Sequence, residues 1–177
     1  MKLWQLIIWF SILILVSCKQ EEPNKDKHKK LSKQLIKESM IKTNQHLLKS
    51  EDRSIRDFIA RYQYNMKETG SGLFYEIYKK GRGAQSHKGD VAEINFSVRL
   101  LNGQMVYRSD EEGIKEFEIG KGGVESGLEE GILLLHVGDH ARFIIPSHLA
   151  FGLLGDLDKI PEKATLVYDI ELINLKI

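Results

Sequence analysis

The sequence predicts an α+β fold, in which an antiparallel sheet wraps against one short helix and a helical segment precedes both. Three observations carry this. Ala92, Ile94, Phe96, Val98 and Leu100 alternate with Glu93, Asn95, Ser97 and Arg99, which describes a strand with one buried and one wet face. Asn102-Gly103 follows directly and is a strong hairpin turn signal. Upstream of Gly70 the apolar spacing is helical instead.

The elements can be justified in chain order. Residues 18–30 are polar and charged, with Pro23 near the start, and read as a tether. Residues 31–69 read as a helical N-terminal segment of two helices. Leu31, Leu35, Met40 and Leu47 form a loose stripe, and Ile55, Phe58, Ile59, Tyr62 and Met66 a tighter one. Ser50 is a candidate N-cap between them, and Gly70 and Gly72 are candidate stops. Two amphipathic helices cannot bury their stripes alone. They pack on each other, on the following domain or on a second copy of the chain, and the sequence leaves these open. From Gly72 onward the signal is strands. After the strand at 92–100 and its hairpin partner, Ala141, Phe143 and Ile145 form a second apolar face, and Leu166, Tyr168, Ile170 and Leu172 a third. Between them Ser126 and Glu129 fit a capping box, with Leu128, Ile132 and Leu135 on one helical face. Because every strand and this helix lie in 72–177, that segment is expected to fold alone.

The N-terminus reads as an address. Met1-Lys2 is followed by an almost unbroken apolar run from Leu3 to Val16, then Ser17-Cys18. The run is shorter than the ~20 residues of a membrane-spanning helix and matches a signal h-region. Leu15-Val16-Ser17-Cys18 resembles a bacterial lipobox, so residues 1–17 are expected to be removed and Cys18 lipidated, which anchors the protein outside the cytoplasm in an envelope membrane. Cys18 is the single cysteine, so an internal disulfide is excluded. The net charge of +1 hides an asymmetry: 12 Lys/Arg against 5 Asp/Glu in 24–67, then 12 against 18 in 68–177. A basic arm of this kind suits an anionic membrane surface or a solvated helix face, and the second is favoured. No nucleic-acid motif accompanies it.

One run of residues carries more than fold. Val124-Glu-Ser-Gly-Leu-Glu-Glu-Gly-Ile, Val137-Gly-Asp, Ala150-Phe-Gly, Ile160-Pro and Ala164-Thr-Leu-Val-Tyr-Asp-Ile-Glu-Leu stand in this order. Order and spacing closely resemble the FKBP-type peptidyl-prolyl cis-trans isomerases over residues 88–177. With the lipobox and helical arm, the chain resembles the lipid-anchored FKBP-type lipoproteins associated with gliding motility. The resemblance implies a proline pocket in which Phe96, Tyr107, Val124, Glu125, Phe151 and Tyr168 serve catalysis, and Val106, Leu128 and Ile160 bind substrate. It assigns the role at Glu125 to the backbone N–H, which donates to the substrate carbonyl. Family members often have Tyr at the positions of Phe96 and Phe151, Asp at Tyr107, Trp at Leu128 and an aromatic residue at Lys115. The implied pocket therefore lacks two hydroxyls and has a different floor.

Peptide-bond rotation makes and breaks no bond, so neither nucleophile, metal nor cofactor is expected. Its barrier of ~18–20 kcal/mol comes from lost resonance. The residues agree that no other chemistry is prominent. His136 and His140 bracket a turn without further metal-ligand spacing. Asp110-Glu111-Glu112 and Glu129-Glu130 read as surface charges, and Gly120-Lys121-Gly122-Gly123 does not open a Walker-type loop. The expected partners are proline-containing polypeptides, the membrane through Cys18, and a second copy through the N-terminal helices. A chaperone or envelope adaptor with little isomerase activity is the alternative.

Overall fold

The computed structural model describes residues 25–176, with side chains from 34 onward. Cys18, the signal segment and the first part of the tether lie outside the described residues, as does the side chain of Leu31. Compactness divides the chain at His46/Leu47, and the second unit, Leu47–Ile177, carries the sheet.

A single helix, α1 (Lys25–Tyr62), replaces the two expected helices and takes in the last part of the expected tether. Ser50 lies in its interior, and its preference for a cap is overridden by helical residues on both sides. The stop comes earlier than Gly70. Gln63 adopts a φ of 56°. Its N–H donates to the Ala60 carbonyl, and the Tyr64 N–H reaches the Ile59 carbonyl. This is a Schellman closure with glutamine in the left-handed position. Leu35, Ile36, Met40 and Ile41 of α1 are exposed, and so are Leu47 and Leu48. Among the described residues no helix is long and apolar enough to cross a membrane.

The sheet holds seven strands: β1 (Lys67–Glu68), β2 (Phe74–Lys79), β3 (Val91–Leu100), β4 (Met105–Arg108), β5 (Lys115–Glu118), β6 (His140–Ile145) and β7 (Leu166–Lys176). Their order is β1-β2-β6-β7-β3-β4, with β5 also on β3, and every pairing is antiparallel. The alternation read at 92–100, 141–145 and 166–172 is the inner face, which packs on helix α3 (Ser126–Ile132) through Leu128 and Ile132. The Asn102-Gly103 turn forms as expected, with Gly103 at a φ of 91° and its N–H on the Leu100 carbonyl.

Two expectations are corrected. The capping box does not form: Glu125 is the N-cap, Glu129 accepts from the Gly122 N–H at 2.8 Å, and Ser126 Oγ donates to the Leu149 carbonyl at 3.2 Å. Tertiary partners outcompete the local ones. The outer face of the sheet is also not bare. Ile55 and Phe58 of α1 are buried there against Phe74, Ile144 and Val167, with Ile59, Tyr64 and Met66 around them. The last turns of α1 therefore share a second buried cluster with the outward-facing strand residues, whereas the periodicity alone starts the domain at 72.

Candidate functional site

Beyond β4, Ser109–Glu112 forms one helical turn, α2, and β5 then returns to β3. β3 thus pairs with β5 over Val91–Ile94 and with β4 over Ser97–Arg99. Phe96 stands in the gap, where its N–H donates to Ser109 Oγ at 2.8 Å. This break in the ladder gives the inner face an opening. An open cavity of about 360 Å³ sits there, lined on the sheet side by Phe96, Val98, Tyr107 and Tyr168. Val98 is the cross-strand partner of both tyrosines, so register places the three together. Glu125, Phe151 and Asp156 close the far side, with Lys115 and Glu112 at the edge. The Phe96 and Tyr168 rings lie 6.5 Å apart, tilted by 36°.

Five of the nine expected site residues therefore meet: Phe96, Tyr107, Glu125, Phe151 and Tyr168. The other four do not line the cavity. Val106, Leu128 and Ile160 are buried in the inner core, and Val124 is half-buried against it. For Val106 the reason is strand alternation: with Tyr107 facing the cavity, its neighbour points away. Leu128 is fully buried among the core side chains.

The Glu125 side chain has a role that the sequence did not assign to it. Only 9 % of the residue is exposed, and its carboxylate accepts from the Tyr168 hydroxyl at 2.6 Å. Burial pushes the Tyr168 phenol well above its ordinary value, and the charge and hydrogen bond of Glu125 add to that. The cavity wall thus carries a carboxylate held by a neutral phenol.

Asp156 is a second residue missed by sequence reading, where nothing links it to Tyr107 49 residues away. The Tyr107 hydroxyl donates to Asp156 Oδ2, while Oδ1 accepts the N–H groups of Asp158 at 2.9 Å and Ile160 at 2.8 Å. Gly155 makes this turn possible, since a Cβ there would stand 2.1 Å from the Ile160 carbonyl oxygen. Lys159 Nζ lies 4.7 Å from the Tyr107 ring centre and 3.5 Å from Glu112 Oε1. Lys115 Nζ lies 5.2 Å from the Phe96 ring centre.

The hydrogen bond to Asp156 raises the Tyr107 phenol to about 12, with burial adding to it. Burial opposes the Asp156 charge, but the bonds from Tyr107, Asp158 and Ile160 outweigh it and hold the carboxyl below its ordinary 3.8. The Tyr107 contribution is complete below pH 10.0 and is lost as pH rises toward the folded value. The Asp156 contribution is complete above 3.8 and is lost as pH falls through its folded value. The parent should therefore be more stable than Tyr107→Phe throughout about pH 5–9, with the margin shrinking on both sides. A margin that varies with pH inside that window, in paired urea titrations, would contradict the pairing.

Comparison with known proteins agrees with this geometry. The family model described as FKBP-type peptidyl-prolyl cis-trans isomerase matches residues 83–173. A probable FKBP-type peptidyl-prolyl cis-trans isomerase FkpA of Neisseria meningitidis is 39 % identical over 111 residues, which are 62 % of this chain and 40 % of that protein. The chain thus spans well under two thirds of that relative's length. FK506-binding protein 2 of Dictyostelium discoideum is 38 % identical over 92 residues, covering 51 % of this chain and 69 % of that one. Among solved structures, FkpA from Escherichia coli superposes with a TM-score of 0.64 at 24 % identity, over 97 % of this chain and 81 % of that one, a likeness of fold. With the family model matching half of its length on the strands that build the cavity, the chain belongs to the FKBP-type peptidyl-prolyl cis-trans isomerase family.

Proposed function

We propose that the protein catalyses rotation about X-Pro peptide bonds in extracytoplasmic polypeptides and so assists their folding. The carrying observation is an open cavity walled by the rings of Phe96, Phe151 and Tyr168, of a size to take a proline ring. For X-Pro the two isomers differ by only about 0.5–1 kcal/mol, so a catalyst needs to favour the twisted amide alone. The twisted amide has lost conjugation and dipole, and the ring-lined side of the cavity accommodates it better than water does. In this reading Phe96, Phe151 and Tyr168 hold the prolyl ring, Tyr107 fixes the loop rim through Asp156, and the Glu125 N–H donates to the carbonyl next to the proline. Val124 sets the backbone before Glu125, and Val106, Leu128 and Ile160 back the pocket from the core.

A protease-coupled assay on X-Pro tetrapeptides tests this, and rates equal to the uncatalysed reaction would defeat it. A chaperone reading has one observation in its favour. Leu153, Leu154 and Leu157, on the loop that bears Phe151, are 67 %, 76 % and 88 % exposed. They offer apolar contact to unfolded chains beside the pocket. Suppressed aggregation of a proline-free client without any isomerase rate would favour that reading.

The anchoring proposal rests on Leu15-Val16-Ser17-Cys18 and needs lipoprotein processing, which supplies the several acyl chains that stable anchoring takes. Cys18→Ala is expected to shift the protein from the membrane fraction to the soluble or unprocessed pool. A cleaved Cys18→Ala protein that still sediments with membranes would refute it. The exposed Leu35, Ile36, Met40 and Ile41 support pairing with a second copy through α1. The proposal that substrates belong to a gliding-motility machinery is supported by the narrower family resemblance alone.

A further inference from the structure

The loop that carries Phe151 and Asp156 runs from Ser147 to Thr165, between β6 and β7. Both of its ends meet one side chain of α1. Glu51 Oε1 accepts the Ser147 N–H at 2.7 Å and the Thr165 hydroxyl at 2.7 Å, and Glu51 Oε2 accepts the Ser147 hydroxyl at 3.0 Å. Thr165 is buried and the contacts are partly shielded from water, where charge-assisted bonds are strong.

Ser147 passes this constraint onward. Its carbonyl accepts the N–H groups of Ala150 at 3.1 Å and Gly152 at 2.8 Å, the two neighbours of Phe151. The Gly152 carbonyl in turn accepts the Lys163 N–H at 2.9 Å, near the other end of the loop. A chain of bonds thus leads from the Glu51 carboxylate through Ser147 to the backbone on either side of the Phe151 ring.

We propose that Glu51 is a positioning residue for the cavity, by which the helical arm sets where the Phe151 loop stands and hence how well the pocket works. This rests on the isomerase reading above, but the contact itself can be tested without activity. Loss of orientation at a distance is enough to cost a large factor in rate when geometry decides the reaction.

The experiment uses the full chain with three substitutions. Glu51→Ala should lower kcat/KM on X-Pro peptides about tenfold and speed hydrogen exchange at the Ala150 and Gly152 amides, while the β3 and β7 amides keep their protection. Glu51→Gln should recover most of both. Its carbonyl oxygen can still accept from Ser147 N–H and from Thr165, and its amide can donate to Ser147 Oγ, so geometry survives without charge. Thr165→Val, which keeps side-chain size and removes one tie, should fall between the parent and Glu51→Ala and stays informative if Glu51→Ala unfolds.

Parent-like rate and exchange in Glu51→Ala would overturn the proposal, as would a Glu51→Gln variant no better than Glu51→Ala. In the unfolding case, a Thr165→Val variant indistinguishable from the parent would overturn it. If the parent itself shows no isomerase rate, the functional reading fails separately, and the exchange at Ala150 and Gly152 still decides the clamp.

Discussion

A chain trimmed to residues 72–177 is expected to be far less stable than one beginning at Leu47, although both keep β2 to β7 and α3. The difference lies on the outer face of the sheet. Ile55 and Phe58 are 1 % and 3 % exposed and cover Phe74, Ile144 and Val167. Removing one buried Phe or Ile side chain costs roughly 2–5 kcal/mol, and the trimmed fragment loses both at once. Whole-domain stability is only about 5–15 kcal/mol, so the loss is a large share of it. Glu51, with its three bonds to Ser147 and Thr165, goes as well. Urea unfolding of the two fragments checks this, and Phe58→Ala in the full chain should reproduce much of the shift. Equal midpoints, with sharp and dispersed amide signals from 72–177, would show that the sheet does not need its helical cover.

Phe151→Ala is expected to lower kcat/KM for X-Pro isomerisation about tenfold, a loss of ~1.4 kcal/mol in transition-state binding, while the fold persists. Phe151 is half-buried on a loop beside an open cavity, so truncation leaves a site that water can fill. Phe96 makes the contrast. It is 8 % exposed and part of the inner core, so Phe96→Ala should lose stability in the ~3–5 kcal/mol range before activity can be judged. Asp110→Ala and His136→Ala should be near neutral. Both residues are exposed, and the 2.8 Å hydrogen bond to Asp139 Oδ2 comes from the His136 backbone N–H, which alanine keeps, while its ring Nδ1 stands 3.8 Å from that oxygen. A Phe151→Ala variant that isomerises as fast as the parent would remove this ring from the pocket.

Much of the sheet was legible because a strand repeats every two residues, and burial on one face leaves that period in the sequence. Ala92 to Leu100, Ala141 to Ile145 and Leu166 to Leu172 all show it. What escaped was decided by partners distant in the chain. Gln63 ends α1 in a conformation usually given to glycine, and nothing local announces that. Ser126 and Glu129 have the spacing of a capping box, yet each finds a better partner in Leu149 and Gly122. Ile144 and Val167 face outward by alternation, but their cover comes from Ile55 and Phe58, more than 80 residues earlier. At the candidate site, the resemblance named the rings of Phe96, Tyr107, Phe151 and Tyr168, which stand together at the cavity. Asp156 and the carboxylate of Glu125 were not, since each acquires its role from a tyrosine hydroxyl brought in by the fold.

The position of β7 also bears on how the protein is made. It lies between β3 and β6 and pairs with both, and it is the last of the seven strands to be synthesised. Until Leu166–Lys176 has emerged, β3 and β6 have no common neighbour, and each presents an unpaired backbone edge together with its apolar inner face. The nascent chain can form α1, the β3–β4 hairpin and α3 locally, but it cannot close its core. Closure over such sequence separations is slow, so the emerging polypeptide passes through a period as an open, adhesive chain. For that interval the domain holds only local elements, and its core closes when β7 takes its place between β3 and β6.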